Sequence, residues 1–177
     1  MTQPLQSFTI WFSQQTGSTL LHYALGSTGV AGNPSEWLHF EYKNPATLKR
    51  EDLEQIWKNG TTPNGVFGLK IGFEEKWIDA FRTLFELPQN ASRAEVWSTA
   101  FPNCSKHVYI TRRNKVRLAV SWWRAIVSGE WHRNYGEKPF RFRNHNSSLS
   151  QIRTLFRSNL SISPKECTYF ITFLYST

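Results

Sequence analysis

The chain has 177 residues, of which 40% are hydrophobic and 15% aromatic, a composition that suits one compact domain with a sizeable core and excludes a wholly disordered polymer. Its formal charge of +8 calls for an anionic partner, whether nucleic acid, membrane surface or phosphorylated small molecule, without choosing among them. No apolar stretch reaches the roughly 18 residues of a membrane helix, and "MTQPLQSFTIWFS" lacks the basic start and apolar run of a signal peptide, so a cytoplasmic protein without a membrane span is expected.

Phe8, Ile10 and Phe12 alternate with Thr9 and Trp11 in a nearly unbroken apolar run, which predicts a strand buried on both faces. The strand leads into a polar turn, Gln14 to Gly17. From Ser18 onward Leu20, Leu21, Ala24 and Leu25 recur at helical spacing, with a stop at Gly29 in "STG". After the Gly/Pro-rich "GVAGNPSEW", the segment from Arg50 to Asn59 carries Leu53, Ile56 and Trp57 on one face and predicts a surface helix ending before Gly60. "TPNG" marks a turn, and Val66 to Phe73 reads as a second buried strand with Lys70 near its end.

From Glu74 to Glu86, Trp77, Ile78, Phe81, Leu84 and Phe85 form a helical stripe terminated by Pro88. Ser92 and Glu95 have capping-box spacing ahead of Val96 and Trp97. "HVYIT" predicts a third strand with His107 at its start. A helix follows the basic turn "RRNK", its Val116, Val120, Trp123 and Val127 forming the face toward the sheet. Beyond Trp131 the pattern weakens, leaving a short helix from Leu149 to Arg157 and a terminal strand at "TYFITFL". Strands alternating with helices predict an α/β domain with a central parallel sheet flanked by helices, ligands gathering at the carboxyl ends of the strands. One domain over 1–177 is expected, with a nucleotide-binding core over 1–131 and an extension over 132–177.

Gly17 allows a tight turn that would aim the backbone N–H groups of a helix start at an anion, and Ser18 and Thr19 add hydroxyls. A nucleotide triphosphate loop would place a lysine where Ser18 stands. Ser/Thr helix caps are common, so a purely structural cap is the competing reading of this turn. A second anion site is suggested by Arg112 and Arg113 at a strand end and Ser121 in the next helix. Two anion sites, with no metal-binding Asp after a strand, point to a nucleotide carrying phosphates at two positions. Cys104 and Cys167 read as ordinary reduced thiols, and the five histidines, His22 and His107 among them, form no metal-ligand cluster. Of the adjacent Trp122 and Trp123, one belongs to the core and the other is free to pack or to stack on an adenine or sugar.

"SQQTGSTLLHYALGSTGVAGNPSEW", "TPNGVFGLKIGF" and "YITRRNKVRLAVSWWRA" resemble, in the same order, motifs of the bacterial trehalose 2-sulfotransferase family. The resemblance runs from about Phe8 to Trp131. It implies a three-layer P-loop-like nucleotide-binding fold and a metal-free sulfotransferase using 3'-phosphoadenosine 5'-phosphosulfate (PAPS). It also implies that Thr16, Gly17, Ser18 and Thr19 bind the 5'-phosphosulfate and that Arg112 and Ser121 hold the 3'-phosphate. Glu36, by the same resemblance, is the base that takes the acceptor's proton, where its surroundings alone read as a loop or helix-start carboxylate. Lys70 reads equally as a solvated strand-end lysine or as the group that neutralises the bridging or sulfuryl oxygens, a role sulfotransferases more broadly give a lysine near this point. The acceptor implied is a carbohydrate or glycolipid hydroxyl, and the resemblance admits a homodimer.

Two departures stand out. Gln15 occupies a position where the family usually has arginine, so a charge-assisted contact to the phosphosulfate becomes a neutral hydrogen bond. The segment from Asn146 onward has no convincing counterpart in the family. A module that binds PAPS or 3',5'-adenosine bisphosphate without turnover is therefore the alternative. A basic nucleic-acid binder is a further alternative, without a visible RNA- or DNA-binding motif.

Overall fold

The computed structural model describes residues 3–41, 44–72, 74–132 and 136–138. Three parallel strands form its centre: β1 (Gln6–Phe12), β2 (Val66–Gly72) and β3 (Cys104–Ile110), in the order β2-β1-β3. Parallel neighbours need long crossover connections, and here helices supply them. α1 (Ser18–Gly26), α2 (Trp37–Glu41) and α3 (Arg50–Gly60) lie between β1 and β2; α4 (Glu75–Leu84) and α5 (Arg93–Ala100) lie between β2 and β3; α6 (Lys115–Ser128) follows β3. The result is the expected three-layer α/β domain, a central parallel sheet flanked by helices.

β1 is the middle strand, so its unbroken apolar run is explained: Ile10 is fully buried and pairs in register with Lys70 on one side and Val108 on the other. Trp11 extends the core into an aromatic cluster with Trp97 at 4.8 Å. Phe81 and Phe101 meet edge-on there at 5.5 Å. Such tilted and edge-on pairs add attraction beyond the area they bury.

Element ends differ from the sequence expectation for local reasons. α1 stops at Gly26, short of Gly29, because the Ser27 and Thr28 hydroxyls donate to Ala24 O and Leu25 O at 2.9 and 2.6 Å, satisfying the last carbonyls. α4 ends at Leu84, before Pro88 is reached: Glu86 takes a left-handed φ of 54°, and Leu87 N and Glu86 N bond back to Arg82 O and Thr83 O. Ser92 caps α5 as its spacing suggested, Oγ accepting from Glu95 N at 3.1 Å.

α6 turns a different face inward. Val116 and Val120 are exposed, whereas Leu118, Ala119 and Ala125 are buried. Phe73, Cys167, the expected helix at 149–157 and the expected terminal strand lie outside the described residues. No helix among the described residues is long and apolar enough to cross a membrane.

β3 begins at Cys104, so His107 sits within the strand rather than at its start. There the Trp11 indole N–H donates to His107 Nδ1 at 3.2 Å, which requires an unprotonated Nδ1. Burial holds the His107 pKa below its usual value, and burial lowers that of His22 as well. Below about pH 6.5 the unfolded chain therefore takes up protons that the folded chain resists, and stability falls until the lowered folded values are passed. Thermal melts at pH 7 and pH 5 should show this drop. The drop should be smaller in His107→Gln, and equal drops in the two proteins would remove His107 as a source.

Candidate active site

β1 ends at Phe12, and the chain enters a turn held by Thr16 Oγ1 donating to Ser13 O at 2.8 Å. Gln15 and Gly17 both take left-handed backbone, φ 61° and 96°. A Cβ on Gly17 would meet nothing within 4 Å, so the torsion rather than crowding calls for glycine. No side chain caps α1. The N–H groups of Ser18 and Thr19 open the helix, ahead of any intrahelical acceptor, in the position from which helix starts favour negative charge. This disposes of the structural-cap reading in its simple form: the helix start is built without a capping side chain.

Glu36 reaches the same place from a separate loop. Residues 32–35 are strapped to the end of α3, the turn after it and β2: Gly32 N donates to Thr62 Oγ1 at 3.2 Å, Asn33 N to Gly60 O at 2.9 Å, and Lys70 N to Ser35 O at 3.0 Å. Ser35 thus bridges Leu69 like a short extra strand, and Glu36 comes to rest beside Lys70. The strap needs a small residue at position 32, where φ is 72° and a Cβ would lie 2.8 Å from Gly68 N. Gly32→Ala should lower stability by about 1–3 kcal/mol through that enforced backbone shift. Urea unfolding measures it, and an unchanged midpoint would mean that the loop adapts without cost.

Lys70 is no solvated strand-end lysine. It is the fifth of seven residues in β2 and only 3% exposed. Its Nζ lies 2.9 Å from Glu36 Oε1, 3.4 Å from Thr19 Oγ1 and 5.0 Å from the centre of the Phe12 ring. An ammonium is kept in such a place only when paired and hydrogen-bonded. Through Lys70 the first turn of α1 and the loop carboxylate are joined by one cation.

A cavity of about 530 Å³ opens over these groups, lined by Gln15, Gly17, Ser18, Thr19, Glu36 and Arg112 among others. Arg112, two residues past β3, reaches it from the third strand; Arg113 is exposed. Ser121 lies next door, lining a smaller hollow of about 170 Å³ with Arg124 and Ser128. Gln15, Trp131 and His132 line both spaces. Of the residues expected to bind the nucleotide, Thr16 turns its hydroxyl back to the chain, and Ser121 is connected to the larger cavity through Gln15 by a 3.0 Å hydrogen bond.

Phe12, His39, Trp131 and His132 also line the larger cavity. Of these only His39 has a usable signal in the sequence, since it stands three residues after Glu36, close to one helical turn on. His22 sits one turn past Ser18 with a buried Nδ1 that has no hydrogen-bond partner. Burial and the Lys70 charge lower its pKa against a smaller opposing pull from Glu36, so it is uncharged at neutral pH. Among the described residues no three side chains gather in a way that could hold a metal ion.

Geometrically, the site offers a helix start without a side-chain cap, a buried ammonium, a carboxylate beside it and an arginine lining the same cavity as the helix start and the carboxylate. Comparison with known proteins gives this arrangement a relation. The profile of the Stf0 sulphotransferase family matches residues 7–155. The trehalose 2-sulfotransferase of Mycolicibacterium smegmatis is 26% identical over 188 aligned residues, which cover 86% of this chain and 69% of the relative. That of Mycobacterium tuberculosis is 25% identical over 164, covering 74% of this chain and 61% of the relative.

Proposed function

The chain belongs to the Stf0 sulphotransferase family, and from that membership we propose that it transfers a sulfuryl group from PAPS to a hydroxyl of a carbohydrate, such as trehalose or the sugar of a glycolipid. The observation that carries the reading is the Lys70 contact set: one buried ammonium touches both the phosphate turn, at Thr19, and the carboxylate of Glu36.

PAPS, when bound, supplies the activated sulfuryl group and a phosphate leaving group. The chemistry of the residues present fits it. Gly17, Ser18 and Thr19 give N–H and hydroxyl donors for the 5'-phosphosulfate, with Thr16 bracing the turn and Gln15 closing its edge. Arg112 and Ser121 supply a cation and a hydroxyl for the 3'-phosphate. Glu36 lines the cavity and takes the proton of the acceptor hydroxyl. Lys70 orients that carboxylate and offers its remaining N–H toward negative charge that develops as the bond to sulfur breaks. A lysine within the turn itself is not called for, since there is no γ-phosphate to hold.

Isothermal titration with 3',5'-adenosine bisphosphate, the product nucleotide, tests the donor half of the proposal. Saturable 1:1 binding at modest salt is expected. No binding would sink both the enzyme reading and that of a binding module without turnover.

A further inference from the structure

Ser121 and Gln15 are 106 residues apart in the chain, yet the Ser121 hydroxyl donates to Gln15 Oε1 at 3.0 Å. The other end of the same amide, Nε2, donates to the Trp131 carbonyl at 3.4 Å. Gln15 therefore spans the wall between the 530 Å³ cavity and the 170 Å³ hollow, engaged with α6 and the residues just after it. Both polar ends of its side chain are thus engaged, one with Ser121 and the other with Trp131.

A serine hydroxyl has one proton to donate, and a phosphate dianion offers acceptors only. Ser121 cannot serve Gln15 and a phosphate with the same proton. We propose that Gln15 is a positioning residue that sets nucleotide specificity: by holding the Ser121 proton it weakens this chain's selection for a nucleotide with a 3'-phosphate over the same nucleotide without one. The proposal rests on the reading above that Ser121 faces the 3'-phosphate. A nucleotide lacking that group leaves the Gln15–Ser121 bond intact, whereas one carrying it must break the bond before Ser121 can turn. Releasing Ser121 should therefore help only the bisphosphate, by the worth of one neutral hydrogen bond, about threefold to tenfold.

The readout is the ratio of dissociation constants for adenosine 5'-monophosphate and 3',5'-adenosine bisphosphate, measured by calorimetry. Two variants remove the tie while keeping the turn: Gln15→Ala, and Gln15→Asn, which withdraws the amide by one methylene and suits left-handed backbone. Both should raise the ratio about threefold to tenfold by tightening the bisphosphate alone. Ser121→Ala should lower the ratio, and adding Gln15→Ala to it should change nothing further. A thermal melt of each variant, expected to match wild type, excludes a general loss of fold as the cause of any weakening. An unchanged or lowered ratio in both Gln15 variants overturns the proposal, and equal weakening of both nucleotides would make Gln15 a ligand of the 5' group instead. If neither nucleotide binds the wild type, the donor reading falls and this proposal with it, an outcome distinct from failure of the Gln15 variants alone.

Discussion

Glu36→Gln should lower sulfuryl transfer by about 10²–10⁴-fold while 3',5'-adenosine bisphosphate continues to bind within a few-fold of wild type. The substitution keeps the size of the side chain and a carbonyl acceptor for Lys70, whose Nζ lies 2.9 Å from Glu36 Oε1, but it removes the ability to take a proton. Stability should fall as well, since the ammonium of Lys70, 3% exposed, keeps a hydrogen-bond acceptor but loses its counter-charge. The effect should fall on kcat, since the acceptor hydroxyl is still positioned but keeps its proton. Transfer undiminished in the variant would remove Glu36 as the base and leave its ion pair with Lys70 as a structural feature.

Lys70→Met is expected to act on both folding and catalysis. Glu36 is only 15% exposed, and losing its partner strands a largely buried carboxylate, an imbalance that costs about 3–5 kcal/mol when one member of such a pair is deleted. Transfer should fall by about 10²–10³-fold as well, the usual consequence of removing one group that stabilises developing charge. The double variant Lys70→Met/Glu36→Gln separates the two effects. With no charge left to strand, its urea midpoint should recover most of the loss, and its activity should not recover at all. A double variant as unstable as Lys70→Met alone would mean that the methylene stem and cation of Lys70, packed against Phe12, support the strand independently of Glu36.

The parts of this fold that were legible in the sequence are those set by local chemistry. The run from Phe8 to Phe12 is apolar on both faces because β1 is the central strand, and Ser92 caps α5 through a contact three residues away. The inward face of α6 was misread because valines attract attention and alanines do not. Yet Ala119 and Ala125 are buried with Leu118, while Val116 and Val120 remain exposed. Lys70 was read equally as solvated because a lone lysine in a strand usually is. Its burial depends on register with Ile10 and on the Ser35 strap, neither of which leaves a mark near position 70. Glu36 owes its selection to resemblance alone; from its surroundings it is a loop carboxylate, and only the Gly32 close approach explains why the loop delivers it. Gln15 and Ser121 meet across 106 residues, beyond the reach of any periodicity.

The measurement that bears most directly on the central claim is transfer of radiolabelled sulfate from PAPS, without added metal, to a panel of sugars that includes trehalose, with wild type and Glu36→Gln side by side. The proposed chemistry predicts labelled sugar and 3',5'-adenosine bisphosphate formed one for one by the wild type, and almost none by the variant. Tight binding of the bisphosphate with no labelled product from any acceptor would contradict it and leave a nucleotide-binding module in place of an enzyme.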